Sequence, residues 1–559
     1  MSNRNEFLAC IGKHAAFTAN GAVSNSTSGN LLVDQFSKSG SAVGRTLQEV
    51  FADQSSIWGQ DELSALKFAF YLRLITRKVK MSDGTVTNSV QKGQGNADES
   101  LKRLLWVALY KPDTFYKNLW ILPLVGSWKD MWIMMSMSDE LKKEEFFKVI
   151  AMGLNEKSQC GLVLKYLPRI RSMKKCKSDW AKKTNKLAKE FCDFLGITER
   201  EYRKMKSSGN AHKFQQVITA GLYDMIDFNT IPGRALFGMV KNNGQFLKAH
   251  NLYDKYVNWL SKQPVAKFTG YVYELAMACG NRYNFKSLSL AEKMTIDKQF
   301  DGLIELAKQD KGGITGNVWC CLDTSGSMNT SVRGTKALCC DIANSLALYF
   351  STLNEGAFHK CIMSFDDVSH FYKLSGTFTD MMSNLPRVGC GGTNFQGAID
   401  EIIRVRKENP NIPLKDYPKT ILVVSDMQFN PSGGYSYRRH GNGITMTPST
   451  NYETMKEKLM TAFPKEFVDD MKFIWWHVTA SYKDFPATID DPGCYMFSGF
   501  DGAIITLLLG GDNSVVQEDG TKRNLTMEEM VDKALNQEIL SFVNCSVDKD
   551  YGACMNNLR

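Results

Sequence analysis

The stretch Asp323-Thr324-Ser325-Gly326-Ser327 is the part of the sequence that says most about the fold and about a possible cation site. It follows residues 318–322, Val-Trp-Cys-Cys-Leu, an apolar run that predicts a short buried strand, and it precedes a helical pattern over 334–353. Open α/β sheets bind ligands at the carboxyl ends of their strands. Because the acid and the two hydroxyls offer only oxygen ligands, they favour a hard divalent cation such as Mg²⁺ over Zn²⁺.

Two segments further along the chain carry the same kind of side chain. Thr393 lies in the glycine-rich run Gly389-Cys390-Gly391-Gly392-Thr393-Asn394, and Asp426 ends the apolar run Thr420-Ile421-Leu422-Val423-Val424-Ser425. We therefore predict one metal site at the edge of a parallel sheet. Its ligands are Asp323, Ser325, Ser327, Thr393 and Asp426. A purely structural role stays open, in which Ser325 or Ser327 only caps the following helix.

A D-x-S-x-S run, a loop threonine and an aspartate after a later strand resemble the metal-ion-dependent adhesion site of von Willebrand factor A domains. The resemblance implies a doubly wound, mostly parallel, Rossmann-like sheet that binds Mg²⁺ or another divalent cation such as Mn²⁺. Neutral hydroxyls leave most of the cation's charge unneutralised, so an open coordination position would attract a carboxylate from a protein partner. We expect the two aspartates to act mainly through coordinated water or by orienting the serines.

The bulk composition indicates a globular protein with more than one core. At 559 residues, with 43% hydrophobic residues, two or three domains are expected. Fourteen cysteines occur without a C-x-x-C pattern or zinc spacing, which is typical of reduced, buried thiols. The first residues lack an apolar signal segment, and no run of about 20 apolar residues predicts a membrane span. We expect a cytoplasmic protein without a membrane partner.

The distribution of patterns divides the chain into four segments. Residues 1–60 predict a flexible or loop-rich arm, because about 18–46 are rich in Gly, Ser, Asn and Ala. Residues 61–312 show helical periodicity with few strand patterns. Strands and helices alternate over 313–515, which predicts the A-type domain, and 516–559 predict a C-terminal helix packed on it. The predicted strands are 318–322, 360–365, 420–425 and 471–478, and the predicted helices between them are 334–353, 395–406, 452–463 and 502–509.

A helical domain followed by a von Willebrand A domain is similar to the Ro autoantigen, or TROVE, family. The closer similarity is to Ro-like proteins of plants, large DNA viruses and phages. It is carried by the runs at 122–130 (Leu-Pro-Leu-Val-Gly-Ser-Trp-Lys-Asp), 198–203 (Thr-Glu-Arg-Glu-Tyr-Arg) and 231–235 (Ile-Pro-Gly-Arg-Ala). The resemblance implies an all-helical, HEAT-like N-terminal domain that binds small structured RNA.

A basic segment gives an independent indication of a nucleic-acid partner. Between residues 165 and 206 there are fourteen Lys or Arg and five Asp or Glu, a net charge of +9 that equals the charge of the whole chain. Concentrated positive charge is typical of phosphate-binding surfaces. The predicted RNA-binding residues are Lys174, Lys175, Lys177, Lys182, Lys183 and Lys186. Trp180 and Tyr202 could stack on bases, although a core position is the simpler expectation for Trp180. A solvated helix face is the open alternative.

Three functions are compatible with these observations. The first is a non-enzymatic ribonucleoprotein component, in which the helical domain binds small structured RNA and the A domain binds a divalent cation and a partner's Asp or Glu. The second is a metal-dependent protein-interaction scaffold without RNA. The third, a metal-dependent hydrolase, has the least support, because it needs a general base and usually more carboxylate ligands.

Overall fold

The computed structural model describes residues 16–545, except 82, 209–212, 282–283, 310–315, 387–390, 434, 441–442, 480–483, 492, 501, 503–513 and 517–521. These residues form two compact units. The sheet unit comprises the described residues of 1–44 and 231–533, and the helical unit comprises those of 45–230 and 534–559.

The strands of the described residues are given in chain order. They are β1 Ala16–Phe17, β2 Val23–Ser24, β3 Gly280–Asn281, β4 Asn284–Phe285, β5 Val318–Asp323, β6 Cys361–Phe365, β7 His370–Lys373, β8 Thr420–Ser425, β9 Tyr435–His440, β10 Gly443–Pro448, β11 Lys472–His477, β12 Cys494–Ser498, β13 Ser514–Val516 and β14 Lys522–Asn524.

The helices are numbered in the same way. They are α1 Leu31–Ser39, α2 Leu47–Gln60, α3 Glu62–Arg73, α4 Ala97–Tyr110, α5 Pro112–Asn118, α6 Leu122–Val125, α7 Trp128–Met137, α8 Lys143–Asn155, α9 Cys160–Tyr166, α10 Asp179–Leu195, α11 Glu199–Ser208, α12 Lys213–Thr219, α13 Gly233–Ala249, α14 Tyr253–Ser261, α15 Val272–Cys279, α16 Leu290–Gln309, α17 Cys339–Leu353, α18 Phe378–Ser383, α19 Phe395–Glu408, α20 Asn451–Leu459, α21 Lys465–Asp469 and α22 Met527–Leu535.

The centre of the sheet unit is a six-stranded sheet with the order β12-β11-β8-β5-β6-β7. All neighbours pair in parallel except β7, which is antiparallel to β6. Every residue of β5, β6, β8 and β12 is buried, as expected for parallel strands that are covered on both faces. The first strand, β5, lies in the middle, and the chain order reverses between β5 and β8.

Helices cover this sheet and extend it. The buried helix α17 contacts β5, β6 and β8, and α19 contacts β6 and β7. The N-terminal helix α1 packs on the edge strand β12, with Phe36 and Phe497 in ring contact. Helices α13, α15 and α16 belong to this unit as well, because α15 packs against α17 and α16 packs against α18.

In the helical unit, helices contact their neighbours in sequence, such as α2 with α3, α3 with α4, and α8 with α9, and α2 also contacts α4. The run at 122–130 forms a packing corner here. Arg73 pairs with Asp130 in the interior, and the Arg77 guanidinium donates to the carbonyls of Leu124 and Gly126. A Cβ on Gly126 would lie 2.4 Å from Asp130 Oδ2, so the corner requires glycine.

The predicted combination of helices and an α/β sheet is confirmed, and the four predicted strands match β5, β6, β8 and β11 to within one residue. The sheet is mostly parallel, as expected, with its short edge strand β7 antiparallel. Two points need correction. Strands β7 and β12 were not predicted. The helix predicted from 334 begins at Cys339, since residues 331 and 338 form a β-bridge. The predicted helix at 502–509 lies outside the described residues.

Residues 1–60 contain α1 and all of α2, although composition predicts a loop-rich arm. Polar residues of this segment serve as helix caps: Asn30 accepts from the backbone N–H groups of Leu32 and Val33, and Thr46 forms a capping box with Glu49. The domain boundaries at 60/61, 312/313 and 515/516 stay predictions. Among the described residues, no helix is both long enough and apolar enough to cross a membrane.

A buried charge network stabilises the helical unit. Glu99 and Arg103 are fully buried on α4; Glu99 Oε1 lies 2.9 Å from Arg103 and 3.0 Å from Arg45, and Arg103 also donates to Gln54. Two guanidinium groups therefore share one buried carboxylate. Removing that carboxylate would leave buried positive charge uncompensated, which is far more costly than losing a surface ion pair.

We predict that Glu99→Gln lowers the free energy of unfolding of the helical unit by about 3–5 kcal/mol, whereas the neighbouring Asp98→Asn lowers it by about 1 kcal/mol or less. Asp98 is the matched control because it pairs with Lys102 on the surface. Urea unfolding followed by circular dichroism measures both. Equal effects of the two substitutions would contradict the buried-network assignment.

Candidate metal site at the carboxyl edge of the sheet

The predicted metal ligands of two strands meet where the strand order of the sheet reverses. In the β5–β8 pairing Leu322 lies beside Val424, so Asp323, at the end of β5, lies next to Ser425, at the end of β8. Asp426 follows directly. Ligands of open α/β sheets bind outside the carboxyl ends of the strands at such a reversal. The register therefore brings Asp323 and Asp426 to the expected position.

Asp323 organises the D-x-S-x-S turn. Its Oδ1 accepts from the Ser325 backbone N–H at 2.8 Å, and its Oδ2 accepts from the Ser425 hydroxyl at 2.5 Å. The hydroxyl oxygens of Ser325 and Ser327 lie 3.1 Å apart. Ser325 is buried and Ser327 is half-buried, so the serine pair forms the accessible side of the site.

Asp426 completes a pair of buried carboxylates. The Ser327 side chain hydrogen-bonds to it, and its Oδ1 accepts from the Gln428 backbone N–H at 3.2 Å. Burial, and then repulsion from Asp426, raises the pKa of Asp323 well above its usual range. Burial also raises the pKa of Asp426. No Lys or Arg in the described part of the chain is ion-paired with either carboxylate.

The backbone next to Asp426 is fixed by neighbouring side chains. Met427 adopts a left-handed conformation with φ of 66°, which is costly for a residue with a side chain, and its N–H donates to Ser425 Oγ at 2.9 Å. His477 at the end of β11 donates from Nε2 to the Asp426 carbonyl at 3.1 Å. Burial lowers the pKa of His477 to about 3, so the ring is neutral.

The Thr393 loop is held beside the D-x-S-x-S turn. The Gly326 N–H donates to the Gly391 carbonyl at 3.4 Å, which joins the two loops. The Asp367 carboxylate accepts from the Gly392 N–H at 2.8 Å, and Thr393 exchanges hydrogen bonds with Asn430 at 2.9 and 3.2 Å. Thr393 is buried. Gly389 and Cys390 lie outside the described residues.

A turn near the N-terminus reaches the same edge. Thr18 donates to the Phe429 carbonyl at 2.6 Å, and Asn20 Nδ2 lies 2.5 Å from the Gln428 carbonyl and 3.4 Å from Thr393 Oγ1. The Gln428 side chain in turn donates to Asp484 at 3.3 Å. An amide from a segment more than 370 residues away thus contacts a predicted ligand.

The arrangement of oxygens suits a hard cation. Three hydroxyls and two carboxylates, all oxygen donors, belong to segments joined by the contacts above. Among the described residues, no group of three or more His, Cys, Asp and Glu side chains is arranged to hold a metal. The predicted site contains only two such side chains and depends on hydroxyls for the rest.

Sequence reasoning missed several side chains that shape this edge. Ser425, His477 and Asn20 contact the predicted ligands, and Asn430 and Asp367 hold the Thr393 loop. The contact of Ser425 could have been predicted from the sequence. Ser425 is the polar residue at the end of the apolar strand β8, and the last residue of the neighbouring parallel strand β5 is Asp323. The position of Asn20 has no local sequence signal.

The six lysines predicted to contact RNA are all exposed. Lys174 and Lys175 lie on a short helical turn, Lys177 lies in the connection to α10, and the other three lie on α10. Lys182 pairs with Asp179 at 3.2 Å, and Lys183 donates to the Ser136 carbonyl at 2.9 Å. Within the described part of the chain, Lys174, Lys175 and Lys177 have no ion-pair partner. These three exposed ammonium groups lie close together in sequence, directly before α10.

The two aromatic residues of the basic segment differ. Trp180 is 41% exposed, so its ring is accessible to a partner. Tyr202 is fully buried, and its hydroxyl donates to the Pro168 carbonyl at 2.9 Å. The suggestion that Tyr202 stacks on bases is therefore wrong, because the apolar face of α11 carries it into the interior. Lys206 donates to carbonyls that end α9, which is a capping role.

A family model described as "Domain of unknown function (DUF7788)" matches residues 317–546, about two fifths of the chain. The matched region contains all five predicted metal ligands and continues through α22, but its description states no function. No curated protein matches the chain significantly.

We predict that Ser425→Ala weakens Mg²⁺ binding by about 10–100-fold, although Ser425 was not predicted to be a ligand, because its hydroxyl orients Asp323 and supports Met427. Isothermal titration calorimetry with Mg²⁺ measures the effect. Ser345→Ala is the control, since Ser345 is a buried serine of α17 that donates only to a helical carbonyl. Unchanged Mg²⁺ affinity in Ser425→Ala would show that Ser425 does not contribute to the site.

Proposed function

We propose that this protein is a non-enzymatic binding protein whose sheet unit holds a divalent cation, Mg²⁺ or Mn²⁺, and uses it to bind a carboxylate of a protein partner. The main support for this proposal is the buried pair of carboxylates, Asp323 and Asp426, which lies beside the hydroxyls of Ser325 and Ser327. Burial raises the pKa of both acids without a paired Lys or Arg among the described residues. A cation would offset both the burial and the mutual repulsion.

The donors that would hold the cation are the hydroxyls of Ser325, Ser327 and Thr393. Asp323 is already engaged by Ser425 and by the Ser325 backbone, and Asp426 by Ser327 and the Gln428 backbone. The two carboxylates are therefore suited to orienting hydroxyls or coordinated water. Hydroxyl ligands carry no formal charge, so the bound cation would keep its attraction for an external carboxylate.

The strand order supports the resemblance to von Willebrand A domains as a proposal. Five parallel strands and an antiparallel edge strand surround the reversal between β5 and β8, and the five-residue pattern lies at that edge. Asn20 would lie next to a bound partner, because its side-chain amide contacts Thr393 Oγ1, one of the proposed ligand oxygens. A partner's carboxylate would approach beside this turn.

Binding of small structured RNA by the helical unit, as in the Ro-like family, is the second candidate function. A specific observation favours it: Lys174, Lys175 and Lys177 are exposed without ion pairs in the described chain, and the exposed ring of Trp180 follows them directly. Phosphates would contact the ammonium groups, and an unpaired base would stack on the indole. A scaffold that binds only protein is the alternative.

We predict that Ser325→Ala with Ser327→Ala abolishes binding of Mn²⁺, measured by isothermal titration calorimetry of the full chain, because two of three hydroxyl donors are removed. The control is Ser345→Ala with Ser351→Ala, two buried serines of α17 whose hydroxyls donate to carbonyls of their own helix. Wild-type Mn²⁺ affinity in the Ser325/Ser327 variant would contradict the site.

The same variants test the partner's chemistry. A random peptide library selected on the immobilised protein in Mg²⁺ is expected to yield peptides with an essential Asp or Glu. Binding of these peptides should disappear in EDTA, in the Ser325/Ser327 variant and after Asp→Asn or Glu→Gln replacement in the peptide. Selected peptides that bind equally in EDTA would contradict carboxylate recognition through the cation.

We predict that Lys174→Ala, Lys175→Ala and Lys177→Ala together flatten the salt dependence of RNA binding. Each lost phosphate contact reduces the slope of log K against log salt by about 0.7 for single strands, so a loss of about 2 is expected. Electrophoretic mobility shifts with a structured RNA at several salt concentrations measure it. Lys78→Ala, Lys129→Ala and Lys157→Ala remove equal charge elsewhere in the helical unit. Equal slopes for both triple variants would identify the segment as a solvated surface.

A further inference from the structure

A second candidate site lies in the sheet unit and involves none of the predicted metal ligands. A cavity of about 850 Å³ is lined by α13, α15, α16 and the segment before α17. Its volume falls in the range of pockets that hold small molecules and cofactors. Neither the metal site nor the basic segment of α10 contributes a residue to it.

Three lysines supply the positive charge of this cavity. Lys241, Lys286 and Lys336 line it, and each is exposed. Within the described residues, none of the three has an ion-pair partner; the Lys241 ammonium lies 4.9 Å from the centre of the Phe237 ring. Lys286 is anchored through its backbone, since its N–H donates to the Cys279 carbonyl at 2.9 Å.

The acidic residues of the lining already have partners. Glu274 pairs with Arg234 and accepts from the Tyr271 backbone N–H. Glu292 caps α16 by accepting from Ser289, and its other oxygen accepts from the Asn243 N–H at 3.0 Å. The two carboxylates are thus engaged in structural contacts, whereas the three lysines point to an anionic ligand.

Aromatic rings provide an apolar surface beside these charges. Tyr271 and Tyr273 line the cavity with nearly parallel rings, 5.8 Å between centres and 13° between planes, and Phe500 packs edge-on against both. Planar bases stack on such rings with little dependence on sequence. A ligand that combines a flat aromatic group with an anionic group would use both parts of the lining.

The backbone on one side of the cavity is held in an uncommon conformation. Asn242, Asn243 and Gly244 all adopt left-handed φ angles between 56° and 66°, so α13 consists of two helical segments joined by a kink at these residues. Three consecutive left-handed residues are costly, and such strain concentrates at ligand sites. Here it turns the chain so that both asparagines line the cavity between Lys241 and the Tyr253 ring.

We propose that this cavity binds a nucleoside monophosphate, with the base against Tyr271 and Tyr273 and the phosphate among Lys241, Lys286 and Lys336. The ligand is either a free nucleotide or the terminal nucleotide of an RNA strand, because the two share the same chemistry. The proposal does not depend on a bound metal or on RNA binding by the helical unit.

The experiment is isothermal titration calorimetry of the full chain with AMP, adenosine and inorganic phosphate, and with a short oligouridylate carrying or lacking a 5′-phosphate. AMP is expected to bind at one site, and adenosine roughly tenfold more weakly or worse, because it lacks the charge-assisted contacts. Lys241→Ala with Lys286→Ala and Lys336→Ala should weaken AMP binding by roughly tenfold or more. The control variant, Lys407→Ala with Lys415→Ala and Lys465→Ala, should bind AMP as tightly as the wild type.

Two further variants separate a defined cavity from diffuse charge. Ala278→Phe fills the cavity without changing its charge, and Tyr273→Leu removes one ring; circular dichroism checks that both are folded. Loss of AMP binding in either variant supports the proposal, and a free nucleotide is identified if the phosphorylated oligouridylate does not bind. Preferential binding of the 5′-phosphorylated oligouridylate, lost in the same variants, identifies an RNA end. Absence of binding by both AMP and the phosphorylated oligouridylate, or equal binding in all variants, overturns it.

Discussion

The buried pair of carboxylates, Asp323 and Asp426, is the constraint on which the edge of the sheet depends. Both acids lie at the carboxyl ends of adjacent parallel strands, where burial and mutual repulsion disfavour their ionised forms. Every surrounding contact accommodates them: Ser425 and the Ser325 backbone donate to Asp323, while Ser327 and the Gln428 backbone donate to Asp426. We propose that a divalent cation supplies the positive charge that would offset this burial and repulsion.

The same edge collects segments that are distant in sequence. The D-x-S-x-S turn, the Thr393 loop and the turn around Asn20 come from three regions of the chain, yet direct hydrogen bonds join each to the next. The geometry of this edge therefore depends on several parts of the sheet unit, including the residues before α1. A von Willebrand A boundary drawn at residue 313 would omit the N-terminal turn that contacts Thr393.

Much of this architecture was predictable from the sequence because buried parallel strands are short, apolar and followed by polar residues. The four predicted strands and the five predicted ligands rested on that pattern. Strand β7 was missed because its four residues are partly or fully exposed and form no apolar run. Strand β12 is fully buried, and its mostly apolar run of five residues was not recognised as a strand. The contacts of Ser425, His477 and Asn20 depend on strand register and on packing across hundreds of residues, which periodicity does not encode. Tyr202 illustrates the same limit, since basic neighbours suggested a surface role for a residue that its helix buries.

The central claim is that Ser325 and Ser327 bind a divalent cation at the point where the strand order reverses. Crystals of the protein grown with Mn²⁺ and measured at the manganese absorption edge test it most directly, because the anomalous signal locates the ion without assumptions about its ligands. We expect one strong peak about 2.1 Å from the hydroxyl oxygens of both serines, with Thr393 bound to the same ion directly or through water. A peak bound elsewhere, or no peak at this edge at saturating Mn²⁺, would contradict it.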